Sequence, residues 1–191
     1  MSVPMSELPS VSPTYPVPRA WVGCVACYAA GRLVGEWNDA IHADEVSCDD
    51  LHRANGLTVI GGSHEETWVY DHENLPVTGE CSPADAARLG RRIAEADEWL
   101  REAFIAWIGT GIIIEDADHL PDLESFIEAY AGHWPSFRDF AEQQVDDLGI
   151  LDGVPELVQR YFDYDEWASD LTYEYDHADA LDGGVFVFRN L

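Results

Sequence analysis

Residues 19–37 read Arg19-Ala20-Trp21-Val22-Gly23-Cys24-Val25-Ala26-Cys27-Tyr28-Ala29-Ala30-Gly31-Arg32-Leu33-Val34-Gly35-Glu36-Trp37, and this stretch sets the fold class. The run Ala20 to Tyr28, rich in β-branched and aromatic residues, predicts a strand. Ala29-Ala30-Gly31 predicts a turn, and Arg32 to Trp37 the antiparallel partner. Farther along, Asp44 to Ala54 has helical spacing, Gly61-Gly62 is a breaker, and Thr67-Trp68-Val69-Tyr70 returns to strand. A three-stranded sheet with one helix therefore opens the folded part. Before it, Pro4, Pro9, Pro13, Pro16 and Pro18 prevent residues 1–18 from propagating helix or sheet, which predicts a flexible leader.

From residue 82 the period changes. Ser82 is suited to cap a helix, Pro83 to its first position and Asp85 to its first turn. Leu89, Ile93, Ala96, Leu100, Phe104 and Trp107 then recur every three or four residues, predicting one long helix stopped by Gly109 and Gly111 in a helical middle section that reaches about Ser125. Beyond it a strand is expected from Phe126 to Tyr130, then a helix capped by Ser136 with Phe137, Phe140, Ala141 and Leu148 on its apolar face. Short helices over Pro155–Tyr161 and Tyr164–Leu171, a strand containing Tyr173 and Tyr175, a Gly183-Gly184 turn and a strand Val185–Phe188 complete the pattern. The expected class is α+β, in three sections: 19–81, 82–125 and 126–191.

The charge is far from ordinary. The 191 residues carry 37 Asp and Glu against 10 basic residues, all Arg, for a net charge of −27, although 47% of the chain is apolar. Such a surface repels nucleic acid and anionic lipid, so a macromolecular partner held electrostatically must itself present a basic groove. Between Glu115 and Asp182 twenty carboxylates face only Arg138 and Arg160. Like charges three or four residues apart on a helix cost a few tenths of a kcal/mol each, so something other than folding favours them. Duplex DNA carries one negative charge per about 1.7 Å, so this net charge corresponds to roughly 46 Å of duplex, or about 13 base pairs. A compact globule of this length has a radius of gyration near 16 Å, which favours an elongated, dimeric shape if a long DNA site is to be matched. A halophilic protein has the same acidic excess without Lys. Its structure would be lost as salt falls, whereas a mimic would stay folded and lose only its partner as salt rises.

The chemistry of catalysis and metal binding is weakly represented. Cys24 and Cys27 form a CxxC with no second CxxC, and on a strand their side chains would point to opposite faces, which predicts core packing and no metal site. Cys48 and Cys81 complete four cysteines, expected reduced in the cytoplasm. His64-Glu65-Glu66-Thr67-Trp68 opens like a zinc-protease helix but has Trp68 where the second His belongs. Asp116 with Asp118 and Asp163 with Asp165 lack a calcium-loop frame, Gly109-Thr110-Gly111 lacks a phosphate-cradle frame, and Ser63 lacks a hydrolase elbow. No catalytic residue and no cofactor is expected. No apolar run approaches the length that crosses a bilayer.

Several longer blocks are more specific. The opening hairpin, Phe126-Ile127-Glu128-Ala129-Tyr130-Ala131-Gly132, the block Val154-Pro155-Glu156-Leu157-Val158-Gln159-Arg160-Tyr161-Phe162-Asp163-Tyr164-Asp165-Glu166-Trp167-Ala168-Ser169-Asp170-Leu171, and Val187-Phe188-Arg189-Asn190 together resemble the ArdA-type antirestriction proteins from Arg19 to Asn190. The segment Leu151 to Asp163 is similar to that family's antirestriction motif. The leader and the insert-like Gly61-Gly62-Ser63-His64 depart from the family pattern. The resemblance implies three subdomains in a curved α+β dimer joined through the last of them, with carboxylates where DNA phosphates would lie. It also implies competition with DNA for the specificity and methyltransferase subunits of a type I restriction-modification enzyme, and the charge argues against direct nucleic-acid binding. The acidic surface expected to carry this is Asp116, Asp118, Asp122, Glu124, Glu128, Asp139, Glu142, Asp146, Asp147, Asp152, Glu156, Asp163, Asp165, Glu166 and Asp170. The motif and dimer contact are expected at Leu151, Val154, Pro155, Leu157, Val158, Tyr161, Phe162 and Tyr164. Two other readings stay open: a mimic aimed at a different basic DNA-binding protein, and an acidic hydrolase with its carboxylates hidden among the surface ones.

Overall fold

A computed structural model of the chain describes residues 16–58 and 64–191. The expected leader over Met1–Tyr15 and the breaker Gly61-Gly62 lie outside the described residues. The end of the expected leader is anchored: the carbonyl of Val17 accepts from Asn74 Nδ2 (3.2 Å), and that of Pro18 accepts from the Ala40 N–H (2.9 Å).

The α+β class holds. Strand β1 (Arg19–Cys24) lies between β2 (Gly35–Asp39) and β3 (Thr67–Glu73) in an antiparallel sheet, with Trp21 opposite Trp37. The strand expected to reach Tyr28 stops at Cys24. Cys24 and Val25 make the last ladder bonds, to the carbonyls of Val34 (2.9 Å) and Glu66 (3.0 Å). The chain then winds into the single helical turn α1 (Val25–Ala29). The hairpin partner accordingly starts at Gly35, not Arg32. The helix expected over Asp44–Ala54 is divided into a 3₁₀ turn, Ala40–Glu45, and α2 (Cys48–Ala54). Ser47 accepts from the Asp50 N–H at the start of α2 while Asp50 reaches back to the Ser47 N–H, a reciprocal cap that fixes where the helix begins.

The long helix of the middle section is two. Ser82 caps α3 (Pro83–Glu95) as expected, but Ala96 and Asp97 are extended, and a 3₁₀ turn, Glu98–Leu100, leads into α4 (Arg101–Thr110). Arg101 explains the break: its Nε donates to the Ala96 carbonyl (3.2 Å) and its Nη2 to the Ala94 carbonyl (3.0 Å), replacing the bonds that a continuous helix would have made. The apolar stripe survives the bend, since Leu89, Ile93, Ala96, Leu100, Phe104 and Trp107 are all buried. Gly111, with φ of 77°, ends α4 in the left-handed conformation that glycine adopts without penalty. Gly90 lets α3 approach the 3₁₀ turn, since a Cβ there would lie 2.9 Å from Ala40 Cβ.

The strand expected at Phe126–Tyr130 is instead α5 (Leu123–Ala129), started by Asp122 accepting from the Ser125 N–H. It crosses the expected junction at residues 125–126. Strand β4 (Tyr130–Trp134), α6 (Phe137–Asp147), the single turn α7 (Glu156–Gln159), α8 (Tyr164–Leu171), β5 (Tyr175–Asp179) and β6 (Val185–Arg189) follow. The second sheet is antiparallel in the order β4-β6-β5. Three smaller expectations fail: α7 is shorter than Pro155–Tyr161, Tyr173 lies in a turn before β5, and Leu148 follows α6 as an exposed residue instead of lining its apolar face.

Alternation along β6 joins two cores. Phe186 and Phe188 enter the main core with α3, α4 and the first sheet, whereas Val187 faces a smaller one with Phe140, Ala141 and Leu171. Phe126 lies at the junction, its ring 4.9 Å from Phe104, 5.7 Å from Trp107 and 6.4 Å from Phe188. No helix among the described residues is long and apolar enough to cross a membrane.

Candidate functional site

Helices α6 and α8 pack side by side over Phe140, Ala141, Trp167 and Leu171, with Trp167 Nε1 donating to the Ala141 carbonyl (3.0 Å). Their outer faces carry Asp139, Glu142, Asp146 and Asp147 on one helix and Asp165, Glu166 and Asp170 on the other, all exposed. Along α6, Asp139, Glu142 and Asp146 occupy positions i, i+3 and i+7, so their carboxylates repeat over about 10 Å of axis. Arg138 lies between the helices and pairs with both Glu142 (2.8 Å) and Asp165.

Not every carboxylate of the expected acidic surface is free for a partner. Asp116 and Asp122 are half-buried. Asp116 pairs with Arg92 and accepts from the N–H groups of Leu120 (3.1 Å) and Asp118 (2.8 Å), closing the loop after α4; those backbone bonds, chiefly Leu120's, hold its carboxyl below the usual range. Asp122 is held low in the same sense by the Ser125 hydroxyl (2.6 Å) and N–H (2.8 Å). Asp163 caps α8, Asp139 is bonded by Ser136, and Glu156 pairs with Arg160 (2.7 Å). Asp118, Glu124, Glu128, Asp146, Asp152, Glu166 and Asp170 make no ion pair with any described residue.

The helix ends show the same one-sidedness. Helices α2 and α3 end with Arg53 and Arg92 in their last turns, where positive charge complements the negative pole of the helix dipole. Helices α5, α6 and α8 have no basic residue there and carry Glu128, Asp146, Asp147 and Asp170 instead. These carboxylates sit at the pole that repels them, which works against the helices that carry them.

Residues 151–164 form turns around α7, with Gln159 Nε2 donating to the carbonyls of Leu151 (3.3 Å) and Val154 (3.0 Å). Helix α7 buries no residue: Leu157 is 67% exposed and Val158 56%, and beside it Tyr161 (82%) and Pro155 are exposed too. Leu151, Val154, Phe162 and Tyr164 are half-buried, and the Phe162 ring meets that of Tyr164 edge-on at 4.9 Å.

A second assembly lies in the first sheet, at the place where β1 gives way to α1. The expectation that Cys24 and Cys27 point to opposite faces is overturned, because the turn at α1 brings both sulfurs to one side. There they meet His52 from α2 and His64 from the segment leading into β3, with one potential ligand atom of each within 4.8 Å of the others. Nothing in the local sequence announces this, because the two histidines come from distant elements. Burial alone would raise the Cys24 thiol, but bonds from the Cys27 N–H, His64, Cys48 and Cys27 outweigh it and bring it to about 6, while burial pushes Cys48 up to about 12.

Two other motifs resolve into the fold. His64-Glu65-Glu66 is an extended lead-in to β3 and not a helix, and Gly109-Thr110-Gly111 ends α4. The family described as “Antirestriction protein (ArdA)” matches the chain over residues 20–186. No curated protein matches it.

Proposed function

Because the chain belongs to the ArdA family of antirestriction proteins, we propose that it acts as a DNA mimic, occupying the DNA-binding groove of a type I restriction-modification enzyme at its specificity and methyltransferase subunits. The observation that carries this reading is the set of acidic residues at the C-terminal ends of α5, α6 and α8. Their cost to the fold is intelligible if a basic partner neutralises them, since complementary fields accelerate encounter and reject DNA from the same groove. Electrostatics takes the place of chemistry, so no catalytic residue and no cofactor enters the reading. The spread of the unpaired carboxylates over three helices and the intervening turns fits a partner that grips a backbone at many points, as nucleic-acid enzymes do.

Residues 19–81, 82–125 and 126–191 would then be three sections of an elongated protomer acting in the cytoplasm, the last two bridged by α5. Two protomers join through the segment 151–164, where the exposed Leu157, Val158 and Tyr161 would be buried. Pairing in this way would double the length of the acidic track. The test is a competition experiment. Added protein should protect unmodified DNA from a type I endonuclease at near-stoichiometric amounts, and the protection should weaken as salt rises. Cleavage undiminished at a large excess of protein would reject the proposal.

A further inference from the structure

We infer that Cys24, Cys27, His52 and His64 form a structural zinc site that fastens the first sheet to α1 and α2. The donor set is two sulfurs and two imidazole nitrogens, the combination that closed tetrahedral zinc sites use. The distances fit. Cys24 Sγ lies 3.2 Å from His64 Nδ1, Cys27 Sγ 3.5 Å from the same nitrogen, and Cys27 Sγ 3.3 Å from His52 Nε2. A tetrahedron with Zn–S near 2.3 Å and Zn–N near 2.05 Å has S···N edges of about 3.6 Å. The two imidazoles approach edge-on, ring centroids 4.8 Å apart at 76°, and so present nitrogens to a common point without stacking.

Burial supports ligation over simple packing. Cys24 and Cys27 are almost wholly enclosed, and His52, at 2% exposure, is the one buried polar residue among those described. Among the described residues its Nδ1 has no hydrogen-bond partner and its Nε2 meets only the Cys27 sulfur. A thiol is a weak partner for an imidazole taken out of water, whereas a metal bond through Nε2 would compensate that burial. Arg32 Nη2, 3.8 Å from Cys27 Sγ, supplies positive charge beside a thiolate. Two thiolates and one zinc ion leave the cluster neutral, which suits its enclosure.

The elements that deliver the ligands are independently fixed. The strand-to-helix turn places Cys24 and Cys27, the reciprocal cap of Ser47 and Asp50 sets the position of α2 and hence His52, and His64 enters from the insert-like segment before β3. Three separate parts of the chain are thereby joined at one point, in a subdomain with a small sheet and few helices to hold it.

The experiment uses the full chain purified under reducing conditions. Elemental analysis should find one zinc per chain. After chelation, titration with cobalt(II) should give the visible absorption of a tetrahedral ion together with thiolate-to-cobalt charge transfer, saturating at one equivalent. His64→Asn alters the half-exposed ligand, and Cys27→Ser an enclosed one. Both should lose stoichiometric metal and the rise in melting temperature on adding zinc, while Cys81→Ser, which lies outside the cluster, should keep both. If Cys27→Ser does not fold, His64→Asn and the wild-type cobalt spectrum decide the matter. Wild-type protein that binds neither metal when reduced, a native Cys24–Cys27 disulfide, or metal retained undiminished by His64→Asn would each overturn the assignment.

Discussion

Replacing Asp146, Asp147 and Asp170 together by Asn should stabilise the protein and weaken its inhibition, two effects of opposite sign from one perturbation. Asp146 and Asp147 close α6 and Asp170 stands in the last turn of α8, neither turn having a basic residue. An exposed charge at the wrong pole of a helix costs about 0.3–1 kcal/mol. The pairs Glu142/Asp146 and Glu166/Asp170 are four residues apart and repel by about 0.2–0.5 kcal/mol each. Asn and Asp have similar helix propensity, and the amide replacing Asp147 still accepts the bond from Gln143 Nε2 (2.8 Å in the wild type). Taking the low end for exposed groups, the triple variant gains about 1–2 kcal/mol, a rise in melting temperature of roughly 3–6 °C for a chain of this size. If each charge contributes about 0.5–1 kcal/mol to a basic groove, inhibition of a type I endonuclease weakens by about 2 kcal/mol, or roughly 30-fold. Thermal unfolding and a DNA-protection titration at fixed salt measure the two. Unchanged inhibition in a stabilised variant would refute the role given to these carboxylates, and lost stability would refute the account of the helix ends.

Gly90→Ala should destabilise by about 1–3 kcal/mol in urea titration, because the added methyl would press on Ala40 Cβ at 2.9 Å and Ile41 N at 3.0 Å in a contact with no slack. Asp122, whose carboxyl the Ser125 bonds hold low, stabilises the fold fully above the ordinary carboxylate pKa of about 4, and the contribution fades as pH falls through the depressed value. The stability gap between wild type and Asp122→Asn should therefore be full at neutral pH and shrink on acidification, and a gap that widened toward low pH would contradict this. Leu157→Asp combined with Tyr161→Asp should sediment as a monomer and wild type as the proposed dimer, with far-ultraviolet spectra alike because α7 buries nothing; a variant and wild type of the same mass in solution would reject the interface.

Elements with their own punctuation were legible in the sequence. Ser82-Pro83 started α3, Ser136 started α6, α8 spans Tyr164–Leu171 as read, and the Gly183-Gly184 turn joins β5 to β6. The misses share a cause. The end of β1 at Cys24 depends on ladder partners at Val34 and Glu66, and the break in the middle helix depends on a side chain, Arg101, that caps backward over the bend. Neither is a matter of propensity or period. At Phe126 the helix was missed because its cap, Asp122 with Ser125, lies upstream of the apolar run that reads as strand. The excess of carboxylates was plain from composition, but which of them the fold consumes, Asp116 and Asp122 above all, depends on loop geometry. The Cys–His cluster was least legible, because the pair Cys24/Cys27 points to it only once the strand is known to stop between them.

The position of β6 governs the order in which the second sheet can assemble. β6 is the central strand, yet its partner β4 closes at Trp134 while β6 opens at Val185. The β5–β6 hairpin can zip locally through its glycine turn, but β4 has to wait for some fifty residues to leave the ribosome before it finds a mate, and closing so long a loop is slow. A nascent chain halted before Val185 would hold β4 as an unpaired edge and would leave the main core without Phe186 and Phe188.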